Sequence, residues 1–147
     1  MTRKKMRELS FKMVFSCNFY KDPELTEEAS LFLEQQEELT DEEREMLLER
    51  GKDIFGKIEE LDQVISENTE GWRIDRFSKV DLSLVRLALY EIRYDPEVPE
   101  KVAVNEAVEL AKVFGGDDSP KFVNGVLARL LRAEKKETEE KAEDNGR

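Results

Sequence analysis

Residues 102–131 read VAVNEAVELAKVFGGDDSPKFVNGVLARLL, and this stretch decides the fold. Val104, Ala107, Val108, Ala111 and Phe114 recur at helical spacing, with Glu106, Glu109 and Lys112 between them. That is the pattern of an amphipathic helix. Gly115 and Gly116 can take positive φ and end it. Ser119 followed by Pro120 predicts an N-cap and a first helical position. A second helix runs on with Phe122, Val123, Val126, Leu127, Leu130 and Leu131 as its apolar set. The two helices form a hairpin whose loop carries Gly115, Gly116, Asp117, Asp118 and Ser119.

Upstream, Ser78-Lys79-Val80-Asp81 reads as another cap, followed by Leu84, Val85, Leu87, Ala88 and Ile92. This helix is apolar on most sides and is expected in the middle of the fold, with Arg86 paired to an acid. Pro96 and Pro99 delimit the loop before the hairpin. Gly71-Trp72 interrupts the pattern; Trp72 reads as a core anchor, with base stacking as the alternative. Further back, Thr40-Asp41-Glu42-Glu43 is a capping-box pattern, and Leu47, Ile54, Ile58, Leu61 and Ile65 mark one long helix. Gly51 and Gly56 inside it are expected at close-packing or bending points, since each costs up to about 1 kcal/mol against alanine. Leu25, Ala29, Phe32 and Leu33 give a short helix with Thr26 as its cap. Asp22-Pro23 separates it from a first helix over residues 3–20, whose stripe is Met6, Leu9, Met13, Cys17 and Tyr20, widened by Phe11, Val14 and Phe15.

No strand pattern emerges, because the Asn124-Gly125 pair lies inside a helical repeat rather than between alternating runs. Asn-Gly in a helix is unfavourable by propensity and points to a packing or contact reason. After Ala133 the chain reads EKKETEEKAEDNGR, charge without apolar periodicity. It is expected to be frayed helix or disordered tail. The expected organisation is therefore an all-α domain over residues 1–133 and a flexible charged tail over 134–147.

Composition narrows the chemistry. A chain of 147 residues is expected to be one domain, burying roughly 70% of the surface its unfolded form exposes. No apolar run approaches the ~20 residues needed to span a bilayer, and MTRKKMRELS lacks a signal-peptide core, so a cytoplasmic protein is expected. There is no histidine and a single cysteine, Cys17. His/Cys metal sites and Cys–His catalysis are thereby excluded, and Cys17 is expected to be a buried thiol. Asp117, Asp118 and Ser119 lack the spaced oxygens of a calcium loop, and Gly115-Gly116 lacks the Lys-Ser/Thr of a phosphate cradle. No catalytic residue, metal or cofactor is expected.

Net charge is −11, which taken alone opposes nucleic-acid binding. The charge is polarised, however. Residues 1–12 carry Arg3, Lys4, Lys5, Arg7 and Lys12 against Glu8, whereas residues 21–50 carry twelve acids against Lys21, Arg44 and Arg50. Cations in a first helical turn oppose the helix dipole, at a few tenths of a kcal/mol each. The basic start is either a solvated end or a surface serving something outside the helix. Lys121, Phe122 and Asn124 offer a charge, a ring and an amide at the start of the last helix, beside backbone N–H groups suited to a phosphate. Burial is the competing reading for Phe122.

The words NEAVELAKVFG and SPKFVNGVL resemble the C-terminal signature of the NusB family of transcription antitermination factors. The resemblance extends through Val80-Asp81, LVRLALYE at residues 84–91, Val98-Pro99 and the basic start near Arg7-Glu8, and spans nearly all of the chain to about Ala133. It implies a compact helical fold of two small helical bundles packed together. It also implies a non-catalytic adaptor that binds boxA RNA with NusE, a small-subunit ribosomal protein, and acts with NusA, NusG and RNA polymerase in read-through of ribosomal RNA operons. Arg3, Lys4, Lys5 and Arg7 match the family's arginine-rich start, although the two lysines forgo bidentate phosphate geometry. Lys121, Phe122 and Asn124 fall on the RNA-facing side. Phe15 stands where relatives carry a tyrosine near the partner and RNA surface. Asp81, where a glutamate is familiar, and Asp118 fall near the NusE-facing surface. A protein–protein adaptor without RNA specificity and a homodimer that hides the RNA surface are the competing expectations.

Overall fold

The computed structural model describes residues 1–70 and 73–145. The expectation for Trp72 lies outside the described residues. Those described form seven α-helices and one 3-10 turn, with no strand: α1 (Arg3–Ser16), α2 (Glu24–Glu34), α3 (Asp41–Phe55), α4 (Ile58–Asn68), the 3-10 turn (Ile74–Arg76), α5 (Lys79–Tyr94), α6 (Glu100–Phe114) and α7 (Ser119–Asn145). The chain divides into two compact units, Met1–Glu59 and Glu60–Arg147. None of the described helices is long and apolar enough to cross a membrane.

In the first unit, Leu9 and Met13 of α1, Leu25, Ala29 and Leu33 of α2, Leu39, and Leu47 and Phe55 of α3 make one apolar cluster. Cys17 is half-buried against it. Helix α1 stops at Ser16 instead of continuing to residue 20. The Cys17 amide turns back to the Val14 carbonyl and the Asn18 side chain donates to the Phe15 carbonyl, which tightens and closes the last turn. Thr26 is not the cap of α2: it lies inside the helix, and its amide donates to Asp22 Oδ1 at 3.0 Å. Asp22 therefore supplies the acceptor that the exposed helix start needs. The capping box of α3 forms in full, with Glu43 N donating to Thr40 Oγ1 at 3.1 Å and Thr40 N to Glu43 Oε1 at 2.9 Å.

The long helix expected across Leu47–Ile65 is two helices, broken at Gly56, the C-cap of α3. Gly51 is a close-packing point: a Cβ there would lie 3.3 Å from Met13 Sδ, so α1 and α3 approach through the missing side chain. Arg44 binds α2 from α3, its Nε donating to the Leu33 carbonyl at 3.1 Å and its Nη2 to the Gln36 carbonyl at 2.7 Å. These carbonyls lie at and beyond the C-terminus of α2, where they also accept the Gln36 and Leu39 amides of the closing turns.

In the second unit, α6 and α7 pack on α5 and on each other. Every residue of α5 from Asp81 to Glu91 is buried, as expected of a helix apolar on most sides. Arg86 finds its acid in Asp62 of α4. Ser78 caps α5, accepting from Asp81 N at 3.0 Å. Helix α6 buries Ala103, Ala107, Leu110 and Ala111. The stripe is thus rotated from the expected one: Val104, Val108 and Phe114 sit at its half-buried edge. Helix α7 buries Val123, Val126, Leu127 and Leu130 completely, each worth roughly 1.5–3 kcal/mol of apolar transfer.

The loop between α6 and α7 departs from expectation in two ways. Gly115 has φ −96° and ψ −175°, extended backbone open to any residue. Space explains the glycine, because a Cβ there would lie 2.5 Å from Ser119 Cβ and Oγ. Ser119 Oγ accepts from Gly116 N at 3.1 Å and so closes the loop behind the helix, while the Asp118 carbonyl accepts from Phe122 N, the first turn's bond. Asp118 thus holds the cap position expected of Ser119. Beyond Ala133, α7 continues as helix to Asn145.

Candidate nucleic-acid interface

The basic start is built on a well-formed helix end. Thr2 caps α1, its Oγ1 accepting from Lys5 N at 3.1 Å, and the first turn contains no acid. Arg3 and Lys4 are exposed, whereas Lys5 and Arg7 are half-buried. Lys5 and Lys12 share Glu8, each at 3.6 Å. The α-amino group of Met1 lies 3.1 Å from Glu43 Oε2, so the segment ahead of α1 is tied to the first turn of α3. The Thr40 amide, and then this amino group, hold the Glu43 carboxyl below its ordinary range.

Phe15 sits in the middle of an aromatic ladder. Its ring centroid is 6.3 Å from Phe11 and 5.5 Å from Phe19, the latter edge-on. Phe11 is buried, Phe15 half-buried, and Phe19 is 58% exposed. The ladder carries apolar surface from buried Phe11 to solvent. Phe19 was not singled out by the sequence reading; its i+4 spacing from Phe15 was the available signal.

The second unit brings another set together. The Phe122 ring meets Phe77 edge to face, with centroids 5.0 Å apart. Phe77 is buried and Phe122 half-buried, so burial claims part of the ring that stacking would use. Lys121 and Asn124 are exposed on the same helical turns, and Asp118 is exposed in the loop before them. Phe77 directly precedes the Ser78 cap of α5, so the ring pair joins the beginnings of α5 and α7. Asp81, in the first turn of α5, is only 8% exposed and its Oδ1 has no hydrogen-bond partner. A buried acceptor in that state calls for a donor. Phe77 was missed, because a single aromatic before a cap carries no periodic signal.

A Cβ at Gly125 would meet nothing within 4 Å. The unfavourable Asn-Gly pair in α7 therefore has no packing reason among the described residues. Among the described residues no group of three or more Asp, Glu or Cys side chains could hold a metal ion.

Arg3, Lys4, Lys5, Arg7 and Phe15 thus belong to the first unit, and Asp81, Asp118, Lys121, Phe122 and Asn124 to the second.

Comparison with known proteins agrees with this architecture. The profile of the NusB family matches residues 4–132. The chain is 47% identical over 130 residues to the transcription antitermination protein NusB of Agathobacter rectalis, covering 88% of this chain and 99% of that protein. It is 45% identical over 131 residues to the same protein of Lachnoclostridium phytofermentans, covering 89% and 99%. The fold matches a crystal form of T. maritima NusB with a TM-score of 0.80 at 32% identity, covering 90% of this chain and 92% of that one. It also matches a chain in the crystal structure of a plectonemic RNA supercoil, with a TM-score of 0.76 at 25% identity, over 89% and 94%. With a profile match over most of its length and relatives aligned almost end to end, the chain belongs to the NusB family.

Proposed function

We propose that this protein is a transcription antitermination factor that binds boxA RNA together with NusE, in the larger assembly with NusA, NusG and RNA polymerase. The observation that carries the reading is the 45–47% identity over 99% of two antitermination proteins. The site chemistry supports it. Exposed Arg3 and Lys4 on a capped helix start give the sequence-independent attraction to phosphate. Lys121, Phe122 and Asn124 supply a charge, a ring and an amide for unpaired bases. Phe15, Asp81 and Asp118 are assigned to the protein partner: Phe15 through its ladder to exposed Phe19, and Asp81 through its unpartnered oxygen. The protein works by holding RNA and partner in register and performs no chemical step.

Fluorescence anisotropy of a boxA RNA and a scrambled control, each with and without NusE, tests this reading. Binding selective for boxA and strengthened by NusE is expected. Equal affinity for both RNAs with NusE bound would move the function to protein scaffolding. That second reading is favoured by the net charge of −11, which opposes RNA over most of the surface.

A further inference from the structure

The family profile ends at residue 132, yet α7 continues for three further turns, to Asn145. The first of these turns is not simply solvated. Arg93, in the last turn of α5, has its Nε 3.5 Å from Glu134 and its Nη2 4.0 Å from Glu137. The same Nη2 lies 3.8 Å from Glu60 of α4. Arg93 and Glu134 have side chains only 16% and 17% exposed. Tyr94 donates its hydroxyl to Glu60, which holds that carboxylate beside the guanidinium. Lys141 reaches back to Glu137 at 3.3 Å. Three helices of the second unit therefore converge, through three carboxylates, on one guanidinium.

We propose that Arg93 is a latch that docks the extension of α7 beyond Ala133 onto the ends of α4 and α5, and that charge and ionic strength open it. The separations of 3.5–4.0 Å are those of ion pairs rather than tight hydrogen bonds. Glu60 and Glu137 keep 46% of their side-chain surface in solvent. Attraction to such exposed charges is screened as the Debye length falls from about 30 Å at 0.01 M salt to about 3 Å at 1 M, whereas the more buried Glu134 pair is screened less. The cluster also holds more anions than cations, since Glu60, Glu134 and Glu137 face Arg93 and Lys141. Removing the guanidinium leaves three carboxylates facing one another, whereas removing Glu134 takes away the shortest of the three ion pairs. Glu134 shows this balance: burial raises its carboxyl above the ordinary value despite the opposing pull of Arg93. Its ionised form is therefore held at a cost that the ion pair with Arg93 offsets.

Hydrogen–deuterium exchange on the full chain tests the latch. At 10 mM salt, amides of residues 134–141 are expected to exchange at least ten-fold faster in Arg93→Gln than in the native chain. Amides of residues 123–130 should be unchanged. One molar salt should accelerate 134–141 in the native chain, and Glu134→Gln should accelerate them less than Arg93→Gln, since Glu137 still faces Arg93. Should Arg93→Gln not fold, the pair Glu134→Lys and Glu137→Lys, which leaves α5 untouched, should open the extension equally. Protection of 134–141 that is the same in native and variant chains at both salts overturns the proposal. So does exchange in the native chain at low salt as fast as in an unstructured peptide.

Discussion

Arg86 and Asp62 meet through two parallel hydrogen bonds, Nε to Oδ1 and Nη2 to Oδ2, each 2.7 Å. Arg86 is 7% exposed on a helix buried along its length, while the Asp62 side chain keeps 30% of its surface in solvent. The pair is a planar fork at which lysine cannot substitute. Asp62→Ala removes both of these hydrogen bonds from a buried guanidinium and is expected to cost about 3 kcal/mol. Arg86→Met leaves only the partly solvated carboxylate and should cost less. Urea midpoints of the two variants check the order; a larger loss for Arg86→Met would mean that packing of the Arg86 stem dominates.

Two glycines should answer alanine with opposite signs. Gly125 has open space around its Cβ position, so Gly125→Ala is expected to stabilise by about 0.5–1 kcal/mol through helix propensity. Gly115→Ala would drive a methyl group to 2.5 Å from Ser119, displacing the hydroxyl that accepts from Gly116 N. A loss of about 1–3 kcal/mol is expected. Thermal unfolding of both variants is the measurement. If Gly125→Ala also weakens RNA binding, the open face of α7 is where the ligand approaches the backbone.

Tyr94 should make stability fall in alkali. Burial, then the hydrogen bond to Glu60, push its phenol from 10.0 up to about 12. A group raised in the folded state contributes stability that is complete below its unfolded value and is lost as pH rises through its folded value. The window here is pH 10 to about 12. Tyrosinate absorbance should show a late phase from Tyr94, and Tyr94→Phe should diminish it. An unchanged titration curve in Tyr94→Phe would assign the late phase elsewhere.

The basic start should set the salt dependence of RNA binding. Four contacts from Arg3, Lys4, Lys5 and Arg7 to single-stranded RNA correspond to a slope of log K against log salt of about −3. Replacing all four by alanine should flatten it. Sharing of Glu8 between Lys5 and Lys12 predicts that Lys5→Ala flattens it less than Lys4→Ala. An unchanged slope in the quadruple variant would remove α1 from the RNA site.

Much of this molecule was legible in its sequence wherever the deciding contact lies within four residues. The capping box at Thr40 and Glu43, the Ser78 cap, the helical hairpin and the all-helical class are of that kind. Each depends on backbone groups and side chains that are neighbours along the chain whatever the rest of the protein does. Gly51 was also readable, since a glycine inside a helix needs a reason, but Met13 as that reason was not.

What the tertiary structure alone decided involves partners distant in sequence. Arg86 could be assigned an acid but not Asp62, 24 residues away. Apolar periodicity ran unbroken through Gly56, yet the chain makes two helices there, with Gly56 as the C-cap of α3. Phe77 became part of the site because Phe122 lies against it, and Asp81 became a buried acceptor without a donor. The charged run after Ala133 reads as tail because it carries no apolar stripe; its ion pairs come from Arg93, some forty residues earlier. Local pattern determines which helices can form and how they begin. Burial then decides which charges and rings meet, because a desolvated group must find its partner among whatever the folded chain brings within reach.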